Sequence, residues 1–246
     1  VLKYKALPEF FTASANNLDA ISQVTLKATN EQGLISQINV GIQPDNFCPI
    51  KYNGNNNSEN FSGQRGADFL IGRGGNDKLT GNQGNDLLNG GSGNDKLIGG
   101  SGKDTAVFSS KSNVVNLSTT KRQNTKDGLD TLIGIENVSG GGGNDKIYGS
   151  KGSNTLNGGK GNDLLVGGLG NDKLIGGKGK DIFKLSKGKG YDLILDFKNK
   201  QDKIFIGSMK KLKLKNKGKD VLIYSGNDLL SKVKKAKGLL SKKGKY

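Results

Sequence analysis

From Gly54 onward a nine-residue phrase recurs, and it keeps its phase too strictly to be a linker. Two complete copies read Gly90-Gly91-Ser92-Gly93-Asn94-Asp95-Lys96-Leu97-Ile98 and Gly167-Gly168-Leu169-Gly170-Asn171-Asp172-Lys173-Leu174-Ile175. Copies begin at Gly54, Gly63, Gly72, Gly81, Gly90 and Gly99, then again at Gly140, Gly149, Gly158, Gly167 and Gly176. Aspartates fall in step at Asp68, Asp77, Asp86, Asp95 and Asp104, and at Asp145, Asp163, Asp172 and Asp181. A flexible glycine- and asparagine-rich segment carries compositional bias without phase. Phase marks a structural repeat, whose copies must stack to bury anything.

The chemistry of the phrase dictates its shape. Its first six residues suit a tight turn, because glycines supply positive-φ conformations and let backbone carbonyls converge on a cation. Its last three suit a short strand whose eighth-position side chain points inward. Those side chains are Phe61, Leu70, Leu79, Leu88, Leu97 and Ala106, then Ile147, Leu156, Leu165, Leu174 and Phe183. Two repeats would complete one coil, and coils would stack at strand spacing, about 4.8 Å. The expected fold is all-β: a parallel β-roll with a C-terminal β cap and a short N-terminal β segment.

These residues resemble the RTX, or hemolysin-type calcium-binding, nonapeptide GGxGxDxUx, where U is a large aliphatic residue. The resemblance spans roughly residues 54–207. It implies a right-handed β-helix that binds several Ca2+ ions between adjacent turns. Carried over residue by residue, the implied metal ligands are the aspartates Asp68, Asp77, Asp86, Asp95, Asp104, Asp145, Asp163, Asp172 and Asp181. Glycines Gly63, Gly72, Gly81, Gly90, Gly93, Gly99, Gly158, Gly167, Gly170 and Gly176 would add carbonyls. Asp68 with Asp86, Asp77 with Asp95, Asp86 with Asp104, and Asp163 with Asp181 would share ions. Two copies depart from the pattern: the one at Gly54 lacks later glycines and carries Glu59, and the one at Gly149 carries Asn154. A column of unneutralised aspartates repels itself, so folding is expected to await the metal.

Five segments are expected. Residues 1–53 form a truncated β segment or linker, 54–107 the first roll block, 108–139 a connecting coil, 140–184 the second block, and 185–246 a lysine-rich cap. Within 23–46 the pattern resembles the last two strands of a cadherin-like or Ig-like repeat, of which only the tail is present. In the connecting coil, Val114 to Leu117 alternates like a strand. Asp130 to Val138 resembles the segment that joins RTX blocks, and residues 118–126 are expected to loop out. Asp127, Asp130 and Glu136 there are candidates for ligand or structural roles. The stretch from Tyr191 to Ile204 resembles the end cap of RTX rolls, with Asp192, Asp196 and Asp202 open to either role.

Composition narrows the function. The chain has 246 residues, 40 glycines and no histidine. Lacking histidine, it cannot host the zinc-protease or Ser-His-Asp chemistry found beside RTX tails, so no enzyme is expected here. One cysteine, Cys48, precludes an internal disulfide framework. No long apolar run suggests a transmembrane helix, and no N-terminal signal pattern is present. Starting on Val1, the chain reads as a fragment or processed product. Net charge is +16, and residues 185–246 hold eighteen lysines against five aspartates. That excess suits an anionic polysaccharide or cell surface, or simply a solvated lysine-rich face. With three arginines (Arg65, Arg73 and Arg122) and few aromatics, nucleic acid is disfavoured. The resemblance implies a secreted, extracellular protein exported by a type I secretion apparatus, in which calcium binding drives folding and stabilisation. Alternatives are an adhesin fragment and the non-catalytic tail of a secreted enzyme.

Overall fold

A computed structural model describes residues 24–29, 35–40, 49–109, 111–207 and 212–237. The chain divides into two units, 1–46 and 47–246. In the first, strands Val24–Thr29 and Ile35–Val40 pair antiparallel, Val24 opposite Val40 and Thr29 opposite Ile35. This agrees with the two strands expected there; the turn expected between them lies outside the described residues. The remaining residues of the cadherin-like reading lie outside the described ones.

The second unit is a parallel β-solenoid of about 9 turns. One face is a continuous eleven-stranded sheet running from Lys51–Asn53 through Phe69–Ile71, Leu87–Asn89, Thr105–Val107, Asn137–Ser139, Thr155–Lys160 and Lys173–Lys178 to Asp192–Ile194. Strands two repeats apart are neighbours, as the eighteen-residue coil requires: Leu70 pairs with Leu88, Leu79 with Leu97, and Leu165 with Phe183. Eighth-position side chains fill the thin interior. From Leu70 to Phe183 none of the repeat positions is more than 3% exposed. Seventh-position lysines such as Lys78, Lys96 and Lys173 point outward, which is strand alternation reduced to three residues. At the first coil, Tyr52 and Phe61 stack with ring centroids 3.8 Å apart, covering the end of the core.

The connecting coil differs from expectation, and the difference is physical. Its period is hidden rather than lost. Residues 108–109 and 111–116 belong to one rung, whose strand Val114–Asn116 pairs with Lys146–Tyr148. Residues 125–133 form another, with Thr131, Leu132 and Ile133 opposite Lys96, Leu97 and Ile98. Both rungs lie on the same face, so that face splits into two five-stranded sheets while the other continues. The returning strand Gln123–Asn124 runs antiparallel beside Leu129 and Asp130. The Gln123 side chain both donates to the Asn116 carbonyl (3.0 Å) and accepts from the Asn116 amide (2.7 Å), replacing a rung of backbone ladder.

At the other end the long sheet continues through Asp228–Val233, Asp220–Ser225 and Leu212–Lys217. Val221, Ile223, Leu230, Val233 and Ala236 join the core there. This is the expected β cap.

Candidate metal centres

Eleven turns carry the repeat, and their backbones fall into two kinds. Eight of them, starting at Gly72, Gly81, Gly90, Gly99, Gly140, Gly158, Gly167 and Gly176, place positions two and four in the left-handed region. At Gly93 this is obligatory: φ is +134°, and a methyl group would strike the Gly75 carbonyl of the coil before. Non-glycine residues hold the same conformation at position two where the side chain is anchored. Arg73 (φ 76°) donates from Nε to Asn53 Oδ1 at 2.9 Å, and Asn82 (φ 79°) donates to Ser62 Oγ at 2.9 Å and to the Gly63 carbonyl at 2.6 Å.

In these open turns the two oxygens of the position-six carboxylate part company. Oδ1 accepts the backbone amide of the equivalent residue one coil earlier. Asp68 donates to Asp86, Asp77 to Asp95, Asp86 to Asp104 and Asp145 to Asp163, each at 2.8 Å. Oδ2 turns into the loop, buried and without a hydrogen-bond partner, in Asp77, Asp86, Asp95, Asp104, Asp145, Asp163, Asp172 and Asp181. Each Oδ2 faces the first glycine of its own turn. A methyl on Gly81 would strike both Asp86 Oδ2 and the Gly99 carbonyl, and a methyl on Gly72 would strike Asp77 Oδ2 and the Gly90 carbonyl. The cradle is therefore an anionic oxygen and a carbonyl oxygen from the next coil, with no donor between them.

Three turns are closed. Their position-two amides, Asn55, Gln64 and Ser150, have no positive φ and donate inward to their own position-six side chains. Asn55 reaches both Glu59 oxygens at 3.2 Å, Gln64 reaches Asp68 Oδ2 at 2.7 Å, and Ser150 reaches Asn154 Oδ1 at 2.7 Å. The turns at Gly54 and Gly149 were the two that departed in sequence. The turn at Gly63 keeps its aspartate and departs only at position two, Gln64, as the open turns at Gly72 and Gly81 also do, yet both Asp68 oxygens are taken, the other by the Ile50 amide at 2.7 Å. Conversely, Gly140 begins an open turn and the Gly134 carbonyl faces Gly99 beside Asp104. Both belong with the expected glycines; Gly140 shares their phase, whereas Gly134 sits in a three-residue corner with no repeat signal.

Burial without a donor shows in the electrostatics. Asp95 is pushed up to about 6, first by burial, then by Asp130, Asp77 and Asp127. Asp104 rises to about 6 through burial, Asp86 and Glu136. Asp145 rises to about 7 through burial, Asp163 and Asp127, and Asp181 to about 6 through burial, Asp202, Asp163 and Asp196. Burial also raises Asp77, Asp86, Asp163 and Asp172. The ion pairs among the described residues go elsewhere: Lys111 to Asp127, Lys187 to Asp228, and Lys232 and Lys234 to Asp220. A hard cation fits such cradles, since Ca2+ takes six to eight oxygens from carboxylates and carbonyls. Among the described residues no group of three or more carboxylate, cysteine or histidine ligands converges. Each ion would thus draw heavily on glycine carbonyls.

In the cap, Asp192 lies beside Asp172, and burial followed by the Asp172 charge raises its pKa. Asp196 accepts the Gly176 amide at 2.9 Å and the Gly177 amide at 2.7 Å. Asp202 accepts the amides of Asp181 at 3.1 Å and Lys198 at 2.7 Å. The latter two thus spend both oxygens on backbone amides.

A stacked parallel solenoid with buried, unpartnered carboxylates in glycine turns defines a cation-binding repeat class. The family described as RTX calcium-binding nonapeptide repeat (4 copies) matches residues 53–88, 74–106, 130–165, 148–183 and 158–190. Over these residues the chain is an RTX-type repeat protein, and its repeats are calcium-binding motifs. No curated protein matches. Among solved structures, the chain is similar to the extracellular lipase LipA from Serratia marcescens, at 17% identity and a TM-score of 0.28. That match covers 79% of this chain, which spans only 38% of the lipase. No helix among the described residues is long and apolar enough to cross a membrane.

Proposed function

We propose that this chain is a calcium-dependent folding and stabilising module of an exported, extracellular protein. The observation that carries the reading is the set of eight buried Oδ2 atoms with no donor. A buried unpaired carboxylate costs several kcal/mol, and a shared divalent cation removes that cost at two turns at once. Binding and ordering are therefore one process: low cytosolic calcium leaves the chain extended for a type I channel, and external calcium rolls it up. Affinity on the order of 10⁻⁴–10⁻³ M suits such a module. Without histidine, and with its aspartates committed to turns, the module itself performs no catalysis. Calcium titration followed by far-UV circular dichroism tests this. The β signal should be small in excess chelator and rise cooperatively with calcium. Asp86→Ala and Asp172→Ala should each raise the midpoint several-fold. A full β signal in chelator at neutral pH would refute the reading.

The lysine-rich end supports a second role, binding of an anionic surface polymer. Strand Leu212–Lys217 alternates half-buried leucines with exposed Lys213 and Lys215, and Lys217 is exposed too. Retention on uronate- or sulfate-bearing beads at physiological salt, lost when these three lysines become glutamine, would support that role; no retention would exclude it.

A further inference from the structure

We propose that the roll loads calcium in two separate stretches, joined by a central rung that protein groups close without metal, with Lys111 supplying that rung's cation. This rests on the calcium reading above and goes beyond it by assigning which turns couple to which.

On one edge of the roll the open turns are those of Asp77 and Asp95, then those of Asp145, Asp163 and Asp181. On the other they are those of Asp86 and Asp104, then that of Asp172. Between the members of each series both edges are closed. On the first edge, Asp130 uses Oδ1 for the Asp95 amide (2.8 Å) and Oδ2 for the Thr125 hydroxyl. Asp127, its side chain only 4% exposed, accepts Ser109 Oγ at 2.9 Å, the Ser109 amide at 3.4 Å and Asn113 Nδ2 at 3.0 Å. Lys111 Nζ lies 3.3 Å from the same carboxylate. On the second edge, Glu136 accepts the Asp104 amide at 3.0 Å, and Asn154 fills the closed turn while donating to the Glu136 carbonyl at 2.8 Å.

No buried oxygen of the three carboxylates at this level, Asp127, Asp130 and Glu136, is thus left without a partner, and an ammonium lies beside Asp127. Asn113 Oδ1 alone is buried and unpartnered there. It belongs to a neutral amide at the boundary with Asp145, and adds no charge for a metal to balance. An ion couples two turns only when both offer it oxygens. No ion can therefore bridge the turn of Asp95 or Asp104 to that of Asp145 or Asp172. Without a bridging ion the stretches are linked by strand pairing, by the side-chain hydrogen bonds of Asp130, Glu136 and Asn154, and by the core side chains of Phe108, Val115, Leu132, Ile135 and Val138. In stacked repeats, cooperativity follows nearest-neighbour interfaces, so a gap in both ion columns divides the folding unit.

Hydrogen–deuterium exchange of the full chain, resolved by peptide, tests the assignment. In wild type, calcium should protect 72–104 and 140–181; if calcium protects neither, the calcium reading itself fails. At saturating calcium, Asp86→Ala with Asp95→Ala should speed exchange in 72–104 by about tenfold or more while leaving 140–181 within about twofold. Asp163→Ala with Asp181→Ala should do the reverse. Equal loss in both stretches from either pair would overturn the division. Lys111→Met should deprotect 108–136 at saturating calcium without changing the number of ions bound. Unchanged protection there, or an added ion, would overturn the role of Lys111.

Discussion

Asp68 and Asp86 carry the same side chain in the same phase of the same repeat, yet one is satisfied by amides and the other holds a bare oxygen. The deciding group is the backbone at position two. Asn82 is held left-handed by its own side chain, whereas Gln64 is not and turns its amide inward. Position four is stricter still. Gly93→Ala places a methyl against the Gly75 carbonyl at φ +134°, and should cost at least about 2 kcal/mol of calcium-loaded stability, measured by thermal melting. The carboxylates also make a pH prediction. Asp95, Asp104 and Asp181 near 6 and Asp145 near 7 stand above their unfolded values. Folded groups that hold protons more tightly add stability that is complete below the unfolded pKa, about 3.9, and is lost as pH rises through the folded one. In chelator, the β signal should therefore be greatest near pH 4–5 and fall away by pH 8, the opposite of ordinary acid unfolding. A flat or inverted profile would contradict the burial of these groups.

At the scale of turns and rungs, much was legible. The register, the inward aliphatic ladder and the cap follow from a strict period and one apolar residue per repeat. The rungs hidden in 108–139 were not, because Phe108-Ser109 and Thr125-Lys126 replace the leading glycines and eight inserted residues shift the phase. Once the insertion at 117–124 is removed, Gly128, Asp130 and Leu132 occupy positions four, six and eight. The looped-out part is accordingly shorter than 118–126, since Gln123–Asn124 is a strand and Thr125 begins a turn. Closed turns were legible only where letters changed, as at Asn154. Composition does not report which way an amide points. Asn154→Asp alone should not create a calcium site, because the Ser150 amide still occupies the inner oxygen. Asn154→Asp with Ser150→Gly frees the backbone to open, and should add one ion by equilibrium dialysis. Binding by the single variant would show that the side chain, not the turn, decides.

Over the whole molecule, charge and edges are arranged together. Among the described residues, strand Leu212–Lys217 is the outermost of the eleven-stranded sheet and pairs on one side alone, and an unpaired edge invites pairing with another chain. Its outward positions are Lys213, Lys215 and Lys217, within the segment that holds most of the net positive charge. Further in, Lys232 and Lys234 both answer Asp220, whose carboxyl is held at about 2 by the Lys235 amide and these ammonium groups, so the inner strands set a carboxylate against their lysines while the outermost strand has none. Like charges on two approaching edges oppose association at low salt, and screening weakens that opposition once salt shortens the Debye length to about 3 Å at 1 M. Replacing Lys213, Lys215 and Lys217 together by threonine keeps strand propensity and removes the repulsion. With calcium present, that variant should form larger species by light scattering at low ionic strength, whereas the parent chain should do so only when salt is raised. If the variant stays the same size as the parent at every salt concentration, the lysines do not guard the edge, and their alternation is left to be explained by the anionic surface they would bind.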